Sequence, residues 1–191
     1  MLVGDPEEFA VESLISKACE RLSFRGLGFF AIHIKNTTFG IREPDATMLA
    51  CSLDEVNRRI AARGQHRVSF CAEPDAAQIA RVFHQSQYGA ACAPDHYFGL
   101  SACEFEEQVT AGKIVWAPDG DEAFDDGSYV LQFDVGNKVR LIGFRSAEQV
   151  HGDISSLADI WMEADNYYDV LREWQRSFLL EWQEMPKEAD E

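Results

Sequence analysis

Cysteine pairs, long apolar runs and basic charge are all scarce in this 191-residue sequence. Its five cysteines, Cys19, Cys51, Cys71, Cys92 and Cys103, form no C-x-x-C pair and are odd in number. They imply no disulfide framework and suit a reducing compartment. No apolar stretch approaches the roughly 20 residues that span a bilayer, and MLVGDPEEF at the start lacks both the basic and the apolar regions of a secretion signal. A cytoplasmic protein without a membrane partner is expected. Lys and Arg number 17 against 33 Asp and Glu, a net charge of −16. Such a balance argues against nucleic acid as a partner and favours a neutral or basic one.

Signatures of chemistry are missing as well. There is no G-x-S-x-G nucleophile elbow. The five histidines, His33, His66, His84, His96 and His151, stand alone, without H-E-x-x-H or a cysteine pair at zinc spacing. Gly26-Leu27-Gly28 lacks the third glycine of a dinucleotide fingerprint, and no G-x-x-x-x-G-K-[ST] loop occurs. No catalytic group, metal or cofactor is therefore expected. Cys92, Asp95 and His96 fall within five residues, and Cys92 and His96 are the least implausible participants if the chain is instead a small enzyme. Closeness in sequence does not make a triad, whose members come from distant elements.

What is present is a globular composition, 46% hydrophobic with 12% aromatics, enough for a sizeable core. One α+β domain over residues 1–185 is expected, with a frayed acidic tail at 186–191. Phe9, Val11, Ser13 and Ile15 alternate as in a strand, and GFFAIHIKNTTFG puts Phe30, Ile32 and Ile34 on one face with Ala31, His33 and Lys35 on a wetter one. Ser52 and Glu55 have the spacing of a capping box before a short helix ending at Gly64. Ala76, Ile79, Ala80 and Phe83 mark a second helix from about 74 to 88, while 90–112 gives no assignable pattern. KIVWA reads as a strand. SYVLQFDVGNKVRLIGF reads as a hairpin turning at Gly136-Asn137, with Tyr129, Leu131, Phe133 and Val135 facing inward. Ser156 and Asp159 look like another helix start, and apolar residues from Leu157 to Trp182 recur at spacings of three or four. These predict a C-terminal amphipathic helix of about 28 residues packed on an antiparallel sheet of about five or six strands.

Charge is unevenly placed: residues 1–100 sum to −2 and residues 101–191 to −14. The stretch DGDEAFDDGS holds five carboxylates, Asp119, Asp121, Glu122, Asp125 and Asp126, in ten residues. It fails the calcium-loop template, because counting from Asp119 places Ala123 fifth, Phe124 sixth and Val130 twelfth. Between two strands these groups are too solvated for their pKa values to be driven apart for acid/base work. Two readings stay open: a loop kept polar for solubility, or a surface that attracts a basic partner.

The opening MLVGDPEEFAVES, the strand GFFAIHIKNTTFG and the hairpin GSYVLQFDVGNKVRLIGF, with Arg140 in its second strand, together resemble bacterial immunity proteins of polymorphic toxin systems. The group they resemble most is immunity protein 42. That resemblance implies a protein without catalysis that binds and neutralises a cognate toxin. The lack of a signal sequence points to a toxin acting in the cytoplasm, such as a nuclease with a basic cleft. Charge then nominates Asp119, Asp121, Glu122, Asp125 and Asp126 with Glu163, Asp169 and Glu173 as the toxin-binding surface, and Phe124 as its aromatic anchor. A small enzyme and a general interaction domain are the alternatives.

Overall fold

The computed structural model describes residues 1–88, 96–116, 122–146 and 154–188. Strands β1 (Leu2–Asp5), β2 (Phe9–Ala18), β3 (Gly26–Ile34) and β4 (Thr37–Phe39) follow one another in an antiparallel sheet, and β5 (Thr47–Met48) pairs with β3. Helices α1 (Leu49–Ala61) and α2 (Ala76–Tyr88) come next, then a small hairpin of β6 (His96–Tyr97) and β7 (Leu100–Ser101), and α3 (Ala102–Gly112). A second antiparallel sheet holds β8 (Ser128–Val135), β9 (Lys138–Ser146) and β10 (Ile154–Glu163) in the order β10-β9-β8. Helix α4 (Ala164–Glu184) ends the fold. The class is α+β, with three helices preceding the long C-terminal one among the described residues.

Two apolar clusters organise these elements. One lies between the five-stranded sheet and α4 and is built on Phe9, Phe30, Ile32, Tyr167 and Trp174. The other lies beneath α2 and α3, around Phe70, Phe83, Phe105 and Phe133. Alternation along β8 and β9 feeds both: Val130, Val139 and Leu141 enter the first, while Leu131, Phe133, Ile142 and Phe144 enter the second. The three-stranded sheet is thus covered on both faces. Gln132 and Asp134, expected on an outer face, are buried for this reason.

The β2–β3 hairpin follows the alternation of its sequence. Phe9, Val11 and Ile15 face the core, and Ser13 shares that face because its Oγ accepts a 3.0 Å bond from Trp174 Nε1. Lys35 and Asn36 take positive φ (49° and 62°) at the tight turn into β4, as a two-residue hairpin requires. The other face of β3 is drier than its sequence implies. Ala31 and His33 are buried there, and His33 sits between Glu12 Oε2 (2.9 Å) and Thr38 Oγ1 (3.0 Å), with Arg42 on the same carboxylate at 2.7 Å.

Several expectations are corrected. Helix α1 begins at Leu49, so Ser52 lies inside it with a buried, unpartnered hydroxyl, and Glu55 turns to Arg58 and Arg59. The stretch from Ser156 to Glu163 is a strand, because residues Ile154 to Glu163 pair with β9 along its length, and Ser156 takes φ 55° at a bulge. Only from Ala164 is the C-terminal segment helical, and Asp159 pairs with Arg140 instead of capping. Among its described residues KIVWA contributes a single bridge, Val115 with Leu131, although its backbone also bonds β8 through Ile114 O and Trp116 N. The tail is fixed as far as Glu188, whose amide donates to Ala18 O at 2.8 Å and whose carboxylate meets Lys17 at 3.0 Å.

Candidate functional site

Of the nominated acidic residues, Glu122, Asp125, Asp126, Glu163, Asp169 and Glu173 are exposed. Glu122 opens a single 3-10 turn (Glu122–Phe124) and, like Asp125, faces solvent. Asp126 caps the following backbone through Ser128 N (3.0 Å) and meets Arg145 Nε at 3.2 Å. Asp119 and Asp121 lie outside the described residues. Phe124 turns inward and meets Phe30 edge-on at 6.4 Å, so it belongs to the core and is no surface anchor. Glu163 ends β10, accepting from Asn137 Nδ2 at 2.8 Å with Lys138 Nζ at 3.9 Å. On α4, Asp169 and Glu173 each face an arginine three residues on, Arg172 at 2.7 Å and Arg176 at 3.7 Å.

These local arginines damp the field of the α4 residues, since exposed pairs of this kind are weak but locally neutral. The loop sits where Ser128 pairs with Arg145, and Glu163 where β9 starts at Lys138. The eight residues of β8 put roughly 23 Å between the two groups at about 3.3 Å per residue. A further acidic face comes from α3, whose Glu104, Glu106 and Glu107 are exposed. Sequence reasoning passed over it, although Ser101 and Glu104 form a full capping box there.

Between α1, α2 and α3 opens a cavity of about 830 Å³. Its wall includes Arg58, Arg59, His66, Phe83, Tyr88, Val109, Glu106 and Tyr129. Behind it lies a buried polar network centred on Arg59. The guanidinium donates to Glu55 Oε1 (2.8 Å), Gln132 Oε1 (3.1 Å) and Val115 O, and stacks over Trp116 at 4.6 Å. Gln132 also accepts from Tyr167 OH at 2.6 Å and donates to Tyr168 OH at 2.8 Å. Asp134 collects Tyr168 OH (3.0 Å), Gln132 Nε2 (3.2 Å) and the His66 amide (3.2 Å).

Burial holds the Tyr167 and Tyr168 hydroxyls well above the usual tyrosine range, so both are protonated donors. Burial, followed by the positive Arg59, pushes the His66 pKa down and leaves its ring neutral. The network is internally balanced and joins residues from α1, β8, α4 and the connections between them. Its members are scattered from Glu55 to Tyr168, so no local pattern announces it.

The family model described as Immunity protein 42 matches residues 1–177. The chain belongs to the immunity protein 42 family. The match runs through residues 41–112, which carry none of the three motifs that resemble the family, and it ends within α4. The fold is similar to that in the crystal structure of CdiI from Burkholderia dolosa AUO158, with a TM-score of 0.56 at 14% identity. That likeness covers 93% of this chain and 99% of the other. No curated protein matches the chain. Membership of the immunity protein 42 family supports a toxin-neutralising role, a toxin as the partner and a role other than catalysis. Among the described residues no helix is long and apolar enough to cross a membrane.

Proposed function

We propose that this chain neutralises, by stoichiometric binding, a cognate toxin that acts in the cytoplasm, and that the toxin is a nuclease with a basic surface. The observation that carries the reading is the family match over residues 1–177. A net charge of −16 supports the choice of partner, since a nuclease cleft shaped for polyanions is basic and an acidic inhibitor is complementary to it. The approach surface is acidic: Asp119, Asp121, Glu122, Asp125 and Asp126 of the acidic stretch, Glu163 at the end of β10, and Asp169 and Glu173 on α4. Exposed Glu106 and Glu107 on α3 add to the same field. Charge sets the encounter rate and the choice of partner, while affinity rests on a few desolvated anchors.

The test is induction of the upstream neighbouring open reading frame in the cytoplasm with and without this protein, followed by purification of the pair. Restored growth together with a stable complex supports the reading. Toxicity that the protein neither relieves nor binds contradicts it.

A further inference from the structure

Strand β10 lies at an edge of the three-stranded sheet, and β9 is its only strand partner among the described residues. The bond from Ala164 N to Asn137 O (2.8 Å) continues the register in which Glu163 meets Lys138 and Ile160 meets Leu141. Backbone groups of successive strand residues alternate between the two edges, so Met162 and Ile160 bond β9 with Ala164. The N–H and C=O of Asp159 and Trp161 then point outward. The far side of the sheet gives the same alternation. Val130 O and Gln132 N are bonded by the segment Ile114–Trp116, which turns Leu131 and Phe133 towards β9 and leaves Val139 and Leu141 for β10. The outward groups of Asp159 and Trp161 have no backbone partner among the described residues.

Exposed strand edges are usually kept short or protected by Lys or Pro. Strand β10 has ten residues and contains neither Lys, Arg nor Pro. Its bulge lies between Ser155 and Ala158, so Ala158 to Glu163 stay in regular register. By contrast, β1 at an edge of the other sheet has four residues, and the outer edge of β8 is met by Ile114 and Trp116. Apolar surface is exposed along the same strand, Leu157 at 42% and Trp161 at 41%. One buried guanidinium fixes both outward residues: Arg140 forks onto Asp159 at 2.9 and 3.0 Å and lies over the Trp161 ring at 5.1 Å. Arg140 is itself held by Glu73 O and Pro74 O, so the edge is rigid before any partner arrives.

We propose that the free edge of β10 receives an extended segment of the toxin as an added strand, bonded to the backbone of Asp159 and Trp161. Its apolar side chains pack beside Trp161 and Leu157, and its basic ones lie beside Asp159 and Glu163. The inference rests on the immunity reading above and deepens it by naming the mode of contact. A second copy of this chain is a poorer occupant, because a net charge of −16 and the carboxylates of this edge would face their own kind.

Amide hydrogen exchange, read residue by residue by NMR, tests the assignment in the wild type, free and in complex with the product of the upstream neighbouring open reading frame. In the complex the amides of Asp159 and Trp161 should slow by about tenfold or more, the factor that one added hydrogen bond gives. Those of Ile160 and Met162, bonded to β9, should be slow in both states. Unchanged exchange at Asp159 and Trp161 in a formed complex overturns the strand assignment alone. Protection of these two amides that rises with the concentration of this protein, without toxin, assigns the edge to a second copy and overturns it equally. Trp161→Thr keeps a strand-forming residue and should weaken toxin binding about 30-fold, the size expected for a lost hot-spot anchor. If Trp161→Thr lowers the melting temperature, Leu157→Thr takes its place. Affinity equal to wild type overturns the assignment, whereas failure of the wild type to bind the neighbouring product at all overturns the immunity reading itself.

Discussion

Arg59 shows how one residue ties the fold together. Its guanidinium is buried and meets groups on α1, on β8 and on the strand-like segment before Trp116. Arg59→Ala removes a buried donor from Glu55, Gln132 and Val115 O and should cost about 3 kcal/mol, the lower end for a broken buried pair, because Glu55 keeps Arg58 and Gln132 keeps Tyr167. Urea unfolding measures this. Arg59→Lys should recover little, since an ammonium cannot reproduce the fork. Histidines set a pH dependence. Burial holds His66 and His84 below their ordinary pKa of 6.5, so the unfolded chain takes up protons first as pH falls. Their contribution is fully present above about pH 6.5 and is lost as pH drops below it. Melting temperature should therefore fall between pH 7.5 and 5.5, and a flat profile across that window would contradict the assignment. None of this was legible at the residue scale. Ser52 and Glu55 have the right spacing for a cap, but a cap needs a free helix end, and tertiary contacts place that end at Leu49.

Elements were read best where a pattern is long and its partner is close in sequence. The β2–β3 and β8–β9 hairpins and α2 follow their apolar spacing, because each pairs or packs locally. Helix α3 was missed since only Phe105 and Val109 anchor it inward, one turn apart, too short a stripe to stand out. Strand β10 was misread as helix: Leu157, Ile160, Trp161 and Ala164 fit helical spacing, and the pairing with β9 that decides the matter is not a local property. Two predictions belong here. Gly28→Ala places a methyl 1.8 Å from Leu14 O and 2.8 Å from Leu49 Cδ1, so it should lower the melting temperature by wedging β2 from β3. A melting temperature equal to wild type would show that the hairpin gives way. Trp174→Ala removes the ring that stacks on Phe178 at 5.1 Å, meets Phe30 edge-on and bonds Ser13. A loss of about 3–5 kcal/mol in denaturant unfolding is expected, as for other large core truncations.

For the whole molecule, the sequence made the acidic balance and the family resemblance visible, but not the arrangement of layers. A sheet buried on both faces turned Gln132 and Asp134 into interior residues, and folding of the loop drew Phe124 into the core. The acidic groups were legible by composition, whereas their separation along β8 and their pairing with Arg145, Arg172 and Arg176 depend on the fold. Replacing Glu122 with Gln and Asp125 with Asn should slow association with the toxin at low salt and flatten its salt dependence, with little effect on dissociation. Stopped-flow measurements at two ionic strengths check this, and unchanged association rates would remove the loop from the approach surface. The central claim, neutralisation by binding and not by turnover, is tested most directly by titrating purified toxin activity with this protein. The account predicts a linear fall that ends at one equivalent, independent of incubation time. Loss of toxin activity that progresses with time at a small fraction of an equivalent would contradict it.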